Sequence, residues 1–442
     1  MRKANRTMPD SLRPPTFIAR AVNWLRDFRN PDRALARVCV AAIVVGMLLR
    51  VHDFSFPDKF SFDEHHFVLN AQNFLAHRAD WNDHPPLGKI ILALGIEWLG
   101  DNSVGWRIMP ILFGLSSIWL VYQLGVSVFR SRSAGLIAAA FVALDGFFIS
   151  YSRTALLDGM LAALVLAGCL VAVDARKPWH VAMAALLTGI AASVKWSGIV
   201  VAMPLTIAVL LLGRAPRWSI VYLGLVPLVY YVQYAFGLAN SDAPWGPATV
   251  YRETMRLLGL QLNATTFEHP LCVKWYWWLI MIDPIVLRYD QVGERLRIMN
   301  SMGNPLVWWS ATAALGVTLV GLAGAGLRWA TGASRAATSR FFGYFGERWQ
   351  ELLLLFSMWL APVLPWILFG RDSYYYHYLP AYGFALCLLA GLVAHLYETR
   401  RWLAGILLSI YFTVGIAYAP FAAQLPVKEA YWRSMMLINK WR

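Results

Sequence analysis

Four ionisable residues stand side by side in the motif Ser61-Phe62-Asp63-Glu64-His65-His66-Phe67. Two adjacent carboxylates followed by two imidazoles offer a general base, a set of metal ligands, or simply a solvated turn. At a membrane surface among aromatic residues such carboxylates are partly desolvated, and desolvation raises the pKa of a carboxyl group toward the range that suits base catalysis. The motif therefore makes Asp63 and Glu64 candidate catalytic residues, with the solvated turn as the alternative.

A stiff turn follows about twenty residues later, in Asp83-His84-Pro85-Pro86-Leu87-Gly88-Lys89. The paired prolines predict that a helix ends before Leu87 or that a new helix begins at Pro86. His84 is a candidate ligand-binding residue here. The local alternative is a histidine that caps a helix or faces an interface.

Five further charges stand inside or beside apolar runs: Arg107, Asp145, Arg153, Asp158 and Lys195. Ionisable residues in spanning helices are energetically costly and indicate function unless they are paired. The sequence predicts that Asp145 or Asp158 pairs with Arg153, either for catalysis or to pin two helices together. Cations at a membrane surface could also bind a lipid phosphate, and arginine would bind it through two parallel hydrogen bonds.

The composition identifies the environment of these groups as a membrane. Of 442 residues, 58% are hydrophobic and only 14% are charged, whereas soluble domains carry about 25% charged residues. This composition excludes a disordered chain, a coiled coil and a secreted disulfide scaffold. The formal net charge of +14 lies mainly in the N-terminal arm and short loops, which is typical of membrane orientation rather than nucleic-acid binding.

Apolar runs predict an all-α membrane protein, since a bilayer requires about 20 apolar residues per helix. Eleven runs qualify as spans: 37–52, 106–128, 134–151, 155–174, 179–195, 197–213, 218–236, 305–327, 352–370, 377–396 and 402–420. The shorter apolar run Leu87–Leu99, with charges near its ends, predicts an interfacial or re-entrant helix.

Basic residues predict the orientation of these spans. Alternate gaps each carry at least two Lys or Arg residues, and the short opposite gaps carry one. The positive-inside rule then places the N-terminal arm (1–36) in the cytoplasm and the C-terminal tail (421–442) outside. Two long segments of the 37–420 membrane domain, 53–105 and 237–304, face outside and are called the first and second outer segments.

The motifs together resemble those of the protein O-mannosyltransferases, a family of the GT-C superfamily. The resemblance runs from about residue 40 to 420 and rests on seven motifs: Asp63-Glu64 with His66-Phe67, the run His84–Lys89, Arg107 with Pro110, Ser152-Arg153 with Leu157-Asp158, Ser193-Val194-Lys195-Trp196, His269-Pro270 with Lys274-Trp275, and His377-Tyr378-Leu379-Pro380. Eukaryotic members insert a β-trefoil MIR domain in the second outer segment. About 68 residues are present here, so the chain is similar to bacterial members.

This resemblance implies a GT-C bundle of about eleven helices that moves mannose, with inversion, from polyprenyl-phosphate-mannose to Ser or Thr of translocated proteins. It implies Asp63 as the base and Glu64 as a residue that orients the acceptor or the neighbouring loop. Residues expected at the donor phosphate or sugar are Arg107 first, then Lys195, Arg153, His84 and Lys89; further site candidates are His66, Asp158, His269, Lys274 and His377.

The same resemblance sets the expected surroundings. The enzyme is expected in the bacterial inner membrane with its active site facing the periplasm. Its partners would be the lipid donor, the bilayer, acceptor proteins and the protein translocon, but not nucleic acid. No cofactor and no metal are expected beside the lipid-linked donor.

Three other functions were weighed against this one. A GT-C enzyme that moves another sugar from a polyprenyl phosphate to a lipid or polysaccharide is the nearest alternative. A transporter would place its charges near the bilayer midplane between repeated halves, and neither feature is visible. A metal-assisted enzyme is a third option, because Asp63, Glu64, His65 and His66 are all possible ligands.

Overall fold

The computed structural model describes residues 34–79, 83–173, 175, 177–201, 204, 220–263, 270–331, 340–369 and 373–441. Long apolar helices form the body of the protein: α1 (Ala34–Val51), α4 (Ser103–Phe129), α5 (Arg132–Leu144), α7 (Leu157–Val173), α8 (Pro178–Val194), α9 (Ile220–Ala239), α12 (Pro305–Thr331), α14 (Trp349–Phe369), α15 (Leu379–Thr399) and α16 (Arg401–Ala423).

Shorter elements lie between and beyond these helices. The remaining helices are α2 (Glu64–Leu75), α3 (Leu87–Leu99), α6 (Gly146–Ser152), α10 (Pro247–Asn263), α11 (Trp275–Trp278), α13 (Arg340–Glu347) and α17 (Glu429–Met435), and the strands are β1 (Cys272–Val273), β2 (Val286–Val292), β3 (Arg295–Asn300) and β4 (Ser373–Tyr374). The helix predicted at Leu87–Leu99 is confirmed as α3.

The predicted number of spans is not confirmed. Seven described helices are long and apolar enough to cross a bilayer, and an eighth span results if the bent pair α5–α6 counts as one. The apolar helices α7 and α8 are shorter, at 17 residues each. Most of the predicted span 197–213 lies outside the described residues, as does most of the N-terminal arm. The protein is nonetheless a multi-pass membrane protein.

The predicted span 134–151 is not a single straight helix. It breaks at Asp145, where α5 ends, α6 begins and the axis turns by 62°. Asp145 has extended backbone angles and accepts hydrogen bonds from the amides of Phe147 and Phe148, as a helix-capping acid does. Its second carboxylate oxygen accepts from the Asn304 amide and the Tyr382 hydroxyl, each at 3.1 Å. The break supplies two of these four donors and distant segments supply the other two, so the buried carboxylate is satisfied.

Small residues let the central helices approach closely. Gly46 of α1 lies against the Ala143 backbone of α5, and Gly125 of α4 lies against Gly135 of α5. Helices in membranes associate through such close contacts because lipid gives no hydrophobic drive between them. Alanine at either glycine would force the helices apart.

Three outer segments meet at one end of the bundle. In the second outer segment β2 and β3 form an antiparallel hairpin, and β1 pairs with β4 from a different loop. The C-terminal tail joins the hairpin, since Val427 and Leu296 exchange two backbone hydrogen bonds of 2.9 and 2.8 Å. The hairpin in turn contacts the first outer segment through an ion pair of Arg297 with Asp53. This end of the molecule carries the candidate site.

Candidate active site

Glu64 is locked inside the protein at the start of α2. One of its carboxylate oxygens accepts from Arg107 Nε and the Ala155 amide, each at 2.8 Å, and the other accepts from Arg107 Nη2 at 2.8 Å and the Ser61 amide at 2.7 Å. Both side chains of the Glu64–Arg107 pair are fully buried. Glu64 can therefore orient the neighbouring loop, one of its two expected roles, but the structure gives it no route to an acceptor.

Arg107 holds the chain that leads to Asp63. Its Nη1 donates to the carbonyls of Phe54, Ser55 and Pro57, and its Nη2 also donates to the carbonyl of Lys59. The five N–H donors of a guanidinium are fully engaged by these groups and Glu64. The structure therefore favours an anchoring role for Arg107, and its predicted contact with the donor phosphate stays a prediction.

Arg153 is also committed to the backbone. Its Nη1 donates to the carbonyls of Leu49, Arg50 and His52 at 2.7–3.1 Å, and Nη2 donates to that of Asp53. These carbonyls lie at the C-terminal end of α1, where the last helical carbonyls have no partner within the helix. The predicted pairing of Arg153 with Asp145 or Asp158 is wrong, and its buried position argues against a contact with phosphate.

Asp158 pairs instead with Lys195. The Lys195 ammonium lies 2.9 Å from an Asp158 oxygen, and both side chains are about 95% buried. Asp158 stands in the first turn of α7 and Lys195 directly follows α8, so the pair ties two helices together at the outer end. The ammonium also lies 4.7 Å from the centre of the Tyr376 ring. Among the predicted cations, Lys195 is the one placed beside the candidate base.

Asp63 differs from its neighbour because its carboxylate accepts no hydrogen bond from the described part of the chain, and its side chain is only partly buried. Burial raises the pKa of Asp63, while His66, His65 and Lys195 lower it. Lys195 and Asp158 are near enough to act on its charge. Asp63 is thus a carboxylate that is available to a substrate and held close to the Asp158–Lys195 pair.

His84 and Lys89 form a second part of the site. The Lys89 ammonium donates to the His84 carbonyl at 2.8 Å, and the His84 ring stacks on Phe67 at 5.8 Å. Burial lowers the pKa of His84 well below its ordinary value, and the positive charges of Lys195 and Lys89 lower it further. His84 is therefore a neutral imidazole, which can donate one hydrogen bond to a ligand but brings no charge.

Aromatic residues that the sequence motifs did not indicate lie beside Lys195. Tyr376 stacks on Tyr374 at 5.1 Å and contacts His377 at 4.7 Å, and His377 contacts Trp366 at 4.6 Å. The run Tyr374-Tyr375-Tyr376 immediately before His377 was the signal that could have indicated this surface. Aromatic faces of this kind pack well against sugar rings and lipid chains.

Three further predicted residues are His66, Lys274 and His269. His66 is exposed and its ring contacts that of His65 at 3.6 Å. Lys274 follows β1, whose partner β4 leads directly into Tyr376. His269 lies outside the described residues. Within the described ranges, no group of three or more His, Cys, Asp or Glu residues is arranged to hold a metal ion.

Comparisons with known proteins agree with this architecture. A model of the family described as dolichyl-phosphate-mannose-protein mannosyltransferase matches residues 83–234, and one described as the C-terminal four-TMM region of protein-O-mannosyltransferase matches residues 255–441. A polyprenol-phosphate-mannose–protein mannosyltransferase of Mycobacterium tuberculosis is 27% identical over 336 residues, which cover 58% of this chain and 64% of that protein. The Mycolicibacterium smegmatis protein of the same name is 24% identical, covering 86% of this chain and 87% of its own.

Solved structures show the same fold at low sequence identity. The Saccharomyces cerevisiae protein O-mannosyltransferase Pmt1-Pmt2 complex bound to the sugar donor superposes with a TM-score of 0.77 at 11% identity, over 92% of each chain. ArnT from Cupriavidus metallidurans superposes with a TM-score of 0.55 at 15% identity, over 92% of this chain and 66% of that one. Both family models, the homologous sequences and the fold thus agree that the chain belongs to the protein O-mannosyltransferase family of GT-C membrane proteins.

Proposed function

We propose that this enzyme transfers mannose from polyprenyl-phosphate-mannose to Ser or Thr hydroxyls of proteins. The main observation is Asp63, a partly buried carboxylate that accepts no hydrogen bond from the described residues and lies near enough to the buried Asp158–Lys195 pair for their charges to act on it. The relatives' names supply the donor and the protein acceptor. The chain spans 64% of the length of the Mycobacterium tuberculosis relative.

Asp63 acts as the general base in this proposal. A hydroxyl is a poor nucleophile, and a carboxylate within hydrogen-bond reach can remove its proton as the new bond forms. Attack at the anomeric carbon from the side opposite the phosphate inverts that centre and releases the polyprenyl phosphate. The proton passes to Asp63, and the electron pair of the broken bond leaves with the phosphate oxygen.

Lys195 is proposed as the main cation for the departing phosphate. The Asp158 carboxylate balances this charge before the donor binds and holds the ammonium at a fixed place. Charge that develops on the leaving oxygen is best stabilised by such preorganised donors. Neutral His84 and the nearby Lys89 supply further donors, and Tyr376 gives the sugar or lipid an apolar surface.

The setting of the reaction is also part of the proposal. The site faces the periplasmic side of a bacterial inner membrane, the acceptors are proteins that cross at the translocon, and no metal or cofactor takes part. The basic gaps between the apolar helices support this orientation.

One assay tests this function directly. Purified enzyme in lipid is incubated with radiolabelled polyprenyl-phosphate-mannose and a Ser/Thr-rich peptide, with the matched Ala-substituted peptide as control. Label should move from the donor to the hydroxyl peptide and not to the control peptide. Transfer of label only to a lipid other than the donor would favour a GT-C enzyme with a lipid acceptor, and no transfer to either acceptor would reject the proposed donor.

A further inference from the structure

The segment that carries Asp63 is held from two sides. Residues 52–61, called here the base loop, connect α1 to the turn before α2. The buried Arg107 and Arg153 bind its carbonyls from the bundle side. A second pair of arginines, Arg288 and Arg297, reaches it from the hairpin β2–β3.

Arg297 contacts the first half of the base loop. Its Nη2 lies 2.6 Å from an Asp53 carboxylate oxygen, and its guanidinium lies 3.6 Å from the centre of the Phe56 ring. Its Nε donates to the Gln424 carbonyl at 2.8 Å, at the start of the C-terminal tail. The Arg297 side chain is 14% exposed and that of Asp53 is 41% exposed, so solvent partly screens the ion pair, and the Phe56 and Gln424 contacts complete the anchor.

Arg288 and its neighbour contact the second half of the base loop. Arg288 donates to the Phe60 carbonyl at 3.2 Å and forms a two-bond pair with Asp290 at 2.7 Å. Asp290 also lies 3.4 Å from the ammonium of Lys59. Phe60 is three residues before Asp63, so the hairpin holds the loop close to the candidate base.

The C-terminal tail fixes the hairpin in turn. Val427 pairs with Leu296 of β3, and the Trp432 ring meets that of Tyr289 of β2 at 6.5 Å. Near the end of the chain, Trp441 is buried and its indole donates to the Met281 carbonyl at 2.7 Å. The hairpin is therefore enclosed between the tail and the base loop, rather than free to move above the site.

We infer that Arg297 and Arg288 are positioning residues, which act through the base loop to keep Asp63 aligned with the substrates. The inference rests on the proposed function for its chemistry and on the hydrogen bonds and ion pairs of Arg297 and Arg288 for its geometry. Catalysis is sensitive to such alignment, because a displacement of about 1 Å can lower a rate by about 10²-fold. The second outer segment would then serve the reaction without touching either substrate.

The test compares Arg297→Ala with Arg295→Ala in enzyme reconstituted in lipid. Arg295 is an exposed arginine on the same strand for which the described part of the chain shows no side-chain partner, which makes it a matched control. Hydrogen–deuterium exchange of peptides that cover residues 52–66 should become faster in Arg297→Ala and stay unchanged in Arg295→Ala. In the transfer assay, Arg297→Ala should lower kcat by roughly tenfold while the KM for the lipid donor stays the same.

Two further variants separate positioning from general destabilisation. Asp53→Asn removes the partner and should reproduce the effect, and the double variant with Arg297→Ala should be no worse than either single one. Arg297→Lys keeps the charge and should restore part of kcat. If exchange of residues 52–66 is unchanged in Arg297→Ala, Arg297 does not hold the base loop. If exchange is faster but kcat is unchanged, the loop is held but its position does not matter for catalysis.

If the parent enzyme transfers no mannose, the proposed function fails, while the exchange experiment still decides whether Arg297 holds the base loop.

Discussion

Asp63 and Glu64 are neighbours in the chain, but the fold gives them opposite environments. Glu64 accepts four hydrogen bonds and is fully buried, whereas the carboxylate of Asp63 is partly exposed and accepts none from the described residues. A carboxylate with every lone pair directed at a protein donor cannot also take a proton from a substrate. The division of labour between base and structural acid follows from this difference.

We expect Asp63→Asn to abolish transfer and leave the protein folded with its donor bound. Asparagine has nearly the same size and cannot accept a proton, and removal of a general base typically lowers a rate by about 10²–10⁴-fold. Turnover and donor binding would be measured on the same purified protein, with Asp58→Asn, the same substitution at an exposed aspartate, as the control. Near-normal turnover of Asp63→Asn would exclude it as the base.

The raised pKa of Asp63 sets the direction of a pH effect. Burial raises this pKa, and the base works only when it is deprotonated, so kcat should fall as the pH drops through the raised value. The acid limb should therefore lie above the ordinary aspartate value of about 3.9. A kcat profile against pH checks this, and an acid limb at or below that ordinary value would contradict it.

Arg107→Lys should damage the fold rather than the affinity for the donor. Lysine keeps the charge but cannot reach Glu64 through two bonds and also the carbonyls of the base loop. Each buried polar group left without a partner costs about 1–3 kcal/mol. Thermal unfolding should show a lower Tm, with donor affinity of the folded fraction preserved. Weaker donor binding at an unchanged Tm would show that Arg107 binds the donor phosphate directly.

Sequence reasoning located the charged residues of the site but assigned several of them the wrong partners. The motif indicated a base at Asp63. It could not show that Glu64 is satisfied, because two of its hydrogen-bond donors, Arg107 and the Ala155 amide, lie 43 and 91 positions away. Arg107 and Arg153 look like phosphate ligands in the sequence because their backbone acceptors leave no side-chain signal. Which charge is satisfied and which is available depends on the packing of distant segments.

At the scale of elements, the Asp158–Lys195 pair joins the start of α7 to the end of α8. Asp158 stands in the first turn of α7 and Lys195 directly follows α8. Both charges therefore lie at helix ends, near one end of the bundle instead of its centre. Breaking a buried pair leaves one charge unpaired and costs about 3–5 kcal/mol, whereas replacing both partners by apolar residues is often neutral. Stability and donor binding can therefore be separated at this pair.

Lys195→Met should lower the Tm strongly, and Lys195→Met with Asp158→Leu should recover most of that loss. Neither variant should bind the donor tightly, since both lack the ammonium. Lys428→Met, at an exposed lysine of the tail, serves as the control in thermal unfolding and donor-binding measurements. Full donor affinity in the stable double variant would show that another cation, such as Lys89, binds the phosphate.

Apolar runs predicted the long helices well because a helix in lipid must be apolar along nearly its whole length. They could not predict the break at Asp145, since a single acid in an apolar run does not reveal that four donors surround it. They also missed the hairpin β2–β3, whose strands lie outside the lipid. The residue types of these strands are set by contacts with the base loop and the tail, and not by the lipid that surrounds a spanning helix.

At the scale of the whole molecule, the contact between the tail and the hairpin agrees with the number of membrane crossings between them. The tail and the second outer segment touch through Val427 and Leu296, so they lie on the same side of the membrane. Four described helices of spanning length separate them: α12, α14, α15 and α16. An even number of crossings returns the chain to the side from which it started, as this contact requires.

The even number of crossings and the distribution of basic residues together predict the side of the membrane on which the tail lies. Arg340 and Arg348 fall between α12 and α14, and Arg400 and Arg401 stand at the junction of α15 and α16. The positive-inside rule makes both gaps cytoplasmic and therefore puts the tail in the periplasm. Alkaline phosphatase, which is active only outside the cytoplasm, should be active when fused after Arg442 and silent when fused after Ser334. A fluorescent reporter that folds only in the cytoplasm should give the reverse pattern. Activity of both phosphatase fusions would contradict the odd number of crossings expected between these two positions, and reversal of both would place the Asp63 site on the cytoplasmic side.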